Sequence, residues 1–218
     1  MKVSGKSIPT NLRNIGASLR GGGSAKKYAG DEPPLRSELF SSEQMKQHGK
    51  TLASSHTLGP GGIRDRLLTR LAENERILTG ACNLLTSAVD ANRRIAPAGE
   101  WLLDNFYLIE EQIRTARRHL PKGYSRELPR LLDGPSAGLP RVYDIAHDAI
   151  SHGDGRVDTG SLRSFVASYQ TVTVLTLGEL WAIPIMLRLA LIENLRRVGA
   201  RIVTGSIDRK STRLNSSH

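Results

Sequence analysis

Between Leu102 and Leu120 the apolar residues Leu102, Phe106, Ile109, Ile113, Ala116 and Leu120 recur at intervals of 4, 3, 4, 3 and 4. A helix places residues three and four apart on one face, whereas a half-buried strand needs alternation at every second residue. The stretch therefore predicts one amphipathic helix over 97–120, with an apolar face that needs a partner. Pro97 suits its first turn, where a missing N–H costs nothing. Glu100, Asp104, Glu110 and Glu111 precede Arg114, Arg117, Arg118 and His119, the charge order that complements a helix dipole. Glu110 lies four residues before Arg114, the favourable direction for a helical ion pair. Pro121 and Gly123 end the helix.

The same grammar runs through the rest of the chain. A first helix is expected over 35–49, capped by Ser41 or Ser42. After the GPGG punctuation at 59–62 comes a helix over 63–78, with Leu67, Leu71, Asn74 and Leu78 on one face and Leu68 beside them. Gly80 is expected to interrupt it, and a further helix follows over 81–94. Residues 124–140, with three prolines and GPSAG, read as irregular apart from a turn near 126–132. A short helix over 141–151 turns Val142, Ile145, Ala146, Ala149 and Ile150 inward. Asp158 or Thr159 caps the next, whose Leu162, Phe165, Val166 and Tyr169 face the core. Thr176-Leu177-Gly178-Glu179 is a capping box opening a helix to about Ile202. Pro184 predicts a kink over 180–184. Arg188, Glu193 and Asn194 predict that this last helix is half exposed.

No strand–helix alternation and no fixed repeat is present, so the expected fold class is all-α, an irregular bundle of about six to eight helices. The expected organisation is a basic leader and linker at 1–34, marked by GGGS and GDEPP, a helical domain at 35–204, and a non-native-looking tail at 205–218. The tail's DRKSTRLNSSH resembles translated cloning sequence.

The net charge of +10 suggests a nucleic-acid binder until it is mapped. Residues 1–30 carry six basic and no acidic residues, and the stretch from Asp208 carries three basic and one acidic. Residues 31–207 keep 22 basic against 20 acidic, a net charge of +2. A basic reading face on a folded core is not expected, and neither is a nucleic-acid partner. Cys82 is the sole cysteine, so no disulfide forms within the chain. The start lacks the 7–15-residue apolar run of a secretory signal. The longest apolar run, Leu180 to Leu187, falls short of the approximately 20 residues a spanning helix needs.

Candidate chemistry is sparse. Asp104, Glu110 and Glu111 offer carboxylates for acid–base work, but a dipole-matched, salt-bridged helix accounts for them more simply. Asp144 and His147 form a carboxylate–histidine pair with His152 beyond it, but no second pair at matching spacing accompanies them. Residues 154–158 lack the repeated oxygens and closing Glu of a calcium loop. The glycine clusters at 21–23 and 59–62 lack the lysine ending of a phosphate loop, and no Ser-centred nucleophile elbow is recognised. Trp101, Tyr107, Tyr124, Tyr169 and Trp181 suit sugar stacking, but helix packing explains their spacing more simply. The charged loop 124–129, between firm helices, suits chemistry or interdomain docking. No catalytic, cofactor-binding or metal-binding residue is assigned.

The blocks LRSELFSSEQMKQHGKTLASSH, LLTRLAENERIL, EWLLDNFYLIEEQIR, LPKGYSRELPRL, LPRVYDIAHDAISHGDGRVD and LRSFVASYQTVTVLTLGELWAIPIMLRLALIENLRR resemble the N-terminal region of cyclic β-1,2-glucan synthases, over about 35–202. The resemblance implies a fragment of a very large inner-membrane transferase that polymerises glucose from UDP-glucose and closes the chain into a ring. It implies that the donor site, the catalytic base and any divalent metal lie in a downstream glycosyltransferase region. The expected role of this chain is to support or dock that region, on the cytoplasmic side, near the glucan chain. The chain by itself is expected to be inactive. The rival expectation is an autonomous helical interaction module.

Overall fold

The computed structural model describes residues 38–60, 66–153 and 155–215, with side chains as far as Thr204. The leader and linker expected at 1–34 lie outside the described residues. Among the described residues there are seven α-helices and one two-stranded sheet, which is the expected all-α multi-helix arrangement. The helices are α1 (Ser42–Ser55), α2 (Arg66–Asp90), α3 (Pro97–Asp104), α4 (Phe106–His119), α5 (Arg141–His152), α6 (Thr159–Gln170) and α7 (Leu177–Asn215). The strands β1 (Leu58–Gly59) and β2 (Arg130–Leu131) pair antiparallel, Leu58 opposite Leu131 and Gly59 opposite Arg130. This pairing was not legible in a two-residue run inside an irregular stretch.

The chain divides into two compact units. One contains Ile77–Phe106 and the described residues from Arg197 onward. Its buried side chains include Leu78, Ala81, Leu85, Leu102, Ala200 and Val203. A Cβ on Gly199 would meet Leu102, Leu78 and Ala81 at 3.5, 3.6 and 3.8 Å. The other unit contains the described residues up to Arg76 together with Tyr107–Arg196. Its main core joins Met45 and Ala53 of α1, Ile145 and Ala149 of α5, Phe165, Val166 and Tyr169 of α6, and Leu175.

Cap chemistry sets several boundaries. Ser41 accepts from the Gln44 N–H at 3.3 Å while the Gln44 side chain accepts from the Ser41 N–H at 2.9 Å, a complete capping box. Asp158 accepts from the Ser161 N–H at 2.7 Å and opens α6. At the start of α7, Glu179 Oε2 accepts from the Thr176 N–H at 2.8 Å and Thr176 Oγ1 accepts from the Glu179 N–H at 3.3 Å, as the sequence predicts.

Several features differ from the sequence expectation. The expected 97–120 helix is two helices, because Asn105 leaves the helical conformation (φ −106°, ψ 6°). Its side chain bonds back to the Trp101 carbonyl at 2.8 Å, the local competition that makes Asn a poor interior residue. Gly80 does not interrupt α2, since a helical glycine costs about 1 kcal/mol relative to Ala and does not forbid the helix. Helix α7 contains Pro184, the position of the expected kink, and continues past Ile202, where no further proline stops it. Of the polar residues expected on a half-exposed α7, Arg188 and Asn194 are partly exposed, whereas Glu193 is fully buried.

Helix α1 also continues through Gly49 to Ser55. There the missing side chain serves packing: a Cβ on Gly49 would lie 2.8 Å from the Phe165 carbonyl oxygen and 3.1 Å from Phe165 Cδ2. Gly49→Ala is expected to destabilise by about 1–2 kcal/mol, because overpacking against backbone outweighs the gain in helix propensity. A Cβ at Gly80 meets nothing within 4 Å, so Gly80→Ala is expected to stabilise by about 1 kcal/mol. Urea denaturation of both variants checks this opposition of sign.

Candidate functional site

The second unit holds its polar chemistry in three groups, two of them along the faces where α5 meets α1 and α6. On α5, Asp144, Asp148 and His152 follow one another at four-residue intervals and so share a face. On α1, His48 lies eight residues before His56, just past the helix end. The two sets pair. His48 Nε2 bonds Asp148 Oδ2, and His56 Nε2 meets Asp144 Oδ2 at 3.2 Å.

The Asp144 group is a half-buried network. His56 Nε2–H faces the carboxylate, so in the neutral ring Nδ1 is the acceptor for the Tyr169 hydroxyl at 2.8 Å. Ser136 donates to the other Asp144 oxygen. Burial pushes the Asp144 carboxyl up, but the hydrogen bonds from His56 and Ser136 outweigh it and hold it below the ordinary range. Ser136 is the centre of Gly134-Pro135-Ser136-Ala137-Gly138, which has the letters G-x-S-x-G that the sequence reading passed over. The geometry is not that of an activated nucleophile. The Ser136 proton goes to a carboxylate, and both ring nitrogens of His56 are engaged elsewhere.

The second group places His48, Asp148 and His152 together, with one ligand-capable atom from each lying within 4.8 Å of the others. His152 Nδ1 donates to the Glu38 carbonyl at 2.8 Å. Phe40 stacks on His152 with centroids 3.9 Å apart and stands edge-on to His48 at 5.1 Å. The sequence reading singled out Asp144, His147 and His152. The structure gives Asp144 to His56 and places His147 near the Tyr143 ring, at 6.2 Å. His48 and Asp148 were missed. The signal was the Asp148–His152 interval of four, and the third member comes from a helix 100 residues away in sequence.

The third group consists of buried ion pairs. Glu179 takes two hydrogen bonds from Arg141, at 2.5 and 2.8 Å, while Arg141 Nη2 also reaches the Val174 carbonyl at 2.8 Å. Burial pushes the Glu179 carboxyl up, but Arg141 and the Thr176 N–H hold it below its ordinary value. Burial lowers the Arg141 pKa, and the bond to Glu179 more than reverses this. Glu193 accepts from Arg70 through both oxygens and from the Tyr143 hydroxyl at 2.6 Å, with Arg196 Nη2 3.8 Å away. Burial and the Glu193 charge push the Tyr143 hydroxyl up, so it remains a donor.

The other candidates do not converge. Asp104, Glu110 and Glu111 are exposed, in keeping with a solvated acidic face. Asp158 is a helix cap. Cys82 is buried. Helix packing accounts for Tyr169, which is fully buried, but not for Trp101, Tyr107 and Trp181, which are 53%, 63% and 75% exposed. The 124–129 loop is a short 3-10 turn over Tyr124–Arg126 with Ser125 and Leu128 buried. Among the described residues no helix is long and apolar enough to cross a membrane.

Caps and buried ion pairs make this an all-α helical region, and its likeness to a known protein lies in the sequence. Over 169 residues, 77% of this chain, it is 36% identical to the cyclic beta-(1,2)-glucan synthase NdvB of Rhizobium meliloti (strain 1021). The chain spans only 6% of that protein's length. The expected resemblance therefore holds: the chain is a relative of the cyclic β-1,2-glucan synthase family, consistent with a fragment of one of its members. No family model matches it.

Proposed function

We propose that this chain is a supporting and docking part of a membrane glycosyltransferase that makes cyclic β-1,2-glucan. The observation that carries the reading is the match of 77% of the chain to 6% of a glucan synthase. In this reading the UDP-glucose donor, any divalent metal serving transfer and the growing glucan are handled by a downstream transferase region. The whole protein sits in the inner membrane, with this region on its cytoplasmic side.

The docking face is the exposed apolar start of α7 and the turn before it. Val174, Leu177 and Trp181 are 73%, 63% and 75% exposed, and Leu177 and Trp181 lie one helical turn apart. Neighbouring apolar side chains this open are a feature of binding surfaces. The proposed occupant is the remainder of the same polypeptide, since a relative of this chain is a far longer protein.

Purified chain given labelled UDP-glucose is expected to make no glucan; robust synthesis by the chain alone overturns the supporting role. A separately expressed transferase region is expected to bind the chain. Trp181→Arg should weaken that binding by about 30-fold, as for a central aromatic anchor. Full binding by the variant overturns the assigned face. Stable, monodisperse chain with no affinity for the transferase region supports the autonomous interaction module instead.

A further inference from the structure

We propose that His48, Asp148 and His152 form a three-ligand site for a zinc-class divalent ion, distinct from any metal serving glucose transfer. The ligand set is two imidazoles and one carboxylate, the nitrogen and oxygen donors that borderline ions such as Zn²⁺ and Co²⁺ accept. Asp148 and His152 are four residues apart on α5, so one helical face presents both, and His48 comes from α1. The three ligand-capable atoms already lie within 4.8 Å of one another. Ligands in a tetrahedral zinc shell, each about 2.0–2.1 Å from the ion, sit roughly 3.4 Å apart, so small side-chain adjustments bring the set to bonding distance.

The surroundings supply a second, independent argument. A metal-bound histidine almost always donates its other ring N–H to a carbonyl or carboxylate, which fixes the tautomer and aims the ligand nitrogen. His152 makes that bond: its Nδ1 donates to the Glu38 carbonyl at 2.8 Å, leaving the Nε2 lone pair for the ion. The Phe40 ring, stacked on His152 and edge-on to His48, and the Phe165 ring, parallel to His48 at 6.1 Å, hold both imidazoles in an apolar setting that limits water. All three ligands are half-buried, so a fourth position remains reachable by water or by a donor from a partner. The bound ion links α1 to α5, the helices whose apolar faces build the core of this unit.

The test uses the full 218-residue chain without a histidine tag, stripped with chelator. Calorimetric titration with Zn²⁺ is expected to show one ion per chain, and Co²⁺ to give visible bands of a four-coordinate site. Asp148→Asn keeps the shape of the side chain and its contact with His48. Loss of a supporting partner costs about 10–100-fold in metal affinity, so loss of this ligand is expected to cost at least about 100-fold. His152→Gln is expected to do the same, and provides a second reading should the first variant fold poorly. His119→Gln, on the exposed end of α4, leaves the affinity unchanged. Absence of stoichiometric Zn²⁺ binding by the original chain overturns the proposal. So does binding that persists undiminished in folded Asp148→Asn and His152→Gln.

Discussion

Glu193→Ala is expected to destabilise the chain by about 3–5 kcal/mol, the range measured when one partner of a buried ion pair is removed. Glu193 has no exposed surface, and Arg196 beside it is 1% exposed. Without the carboxylate, two guanidiniums face each other across the space it filled, and the Tyr143 hydroxyl loses its acceptor. Two cations are left close together, one of them buried, where water cannot screen them. For a domain with typical total stability of about 5–15 kcal/mol, such a loss is roughly a fifth or more of what holds it folded. Tyr143→Phe provides the scale. It removes one hydrogen bond to a charged group, for an expected cost of about 1.5–3 kcal/mol, and leaves the charges balanced. Urea denaturation should therefore rank Glu193→Ala well below Tyr143→Phe. Equal losses would mean that the hydrogen bond, and not charge balance, is what Glu193 contributes.

These particular residues show where the sequence was readable and where it was not. The box Thr176–Glu179 was legible because capping is local: the hydroxyl, the carboxylate and the orphan N–H groups lie within four residues. The second role of Glu179 was not, because Arg141 lies 38 residues earlier and nothing in either neighbourhood marks the two as partners. Glu193 misled for a related reason. A charged residue in a helix reads as solvent-facing unless a counter-charge is known to meet it, and Arg70 is 123 positions away. The 3–4 spacing predicted the buried face of α4 correctly at Ile109, Ile113 and Ala116, and at Leu120 just past its end. It carried no information on Asn105, whose side chain competes with the backbone across one turn. Glycine was overread as a stop at Gly49 and Gly80, since one is a point of close approach and the other an open helical position. At the candidate metal site, Asp148 and His152 showed a usable interval, whereas His48 joined them only through the packing of α1 on the rest of the unit. The family, by contrast, was legible directly, because long ordered blocks survive where single contacts cannot be inferred.

Arg141→Met is expected to cost about 3–5 kcal/mol at neutral pH and progressively less in acid. In the original chain Arg141 and the Thr176 N–H hold the Glu179 carboxyl below its ordinary value of 4.5, against the opposing effect of burial. A carboxyl that is more acidic folded than unfolded contributes stability above its unfolded pKa, and that contribution is lost as pH falls through the folded value. The substitution removes the cation and leaves the burial. The Thr176 bonds also remain, so the folded carboxyl of the variant becomes less acidic than that of the original chain and its contribution shrinks. At neutral pH the variant holds a buried carboxylate without its cation. Protonating Glu179 in acid therefore costs the variant less stability than it costs the original chain. The two stabilities therefore converge as pH falls below 4.5, the unperturbed carboxyl value. They do not meet, because methionine also loses the pH-independent bond from Arg141 to the Val174 carbonyl, which pins the turn leading into α7. Urea denaturation of both chains across a pH series measures the gap directly. A gap that stays constant from neutral pH into acid would assign the loss to packing and to that bond alone, and would remove the Arg141–Glu179 charge pair as the feature that fixes the start of the long helix.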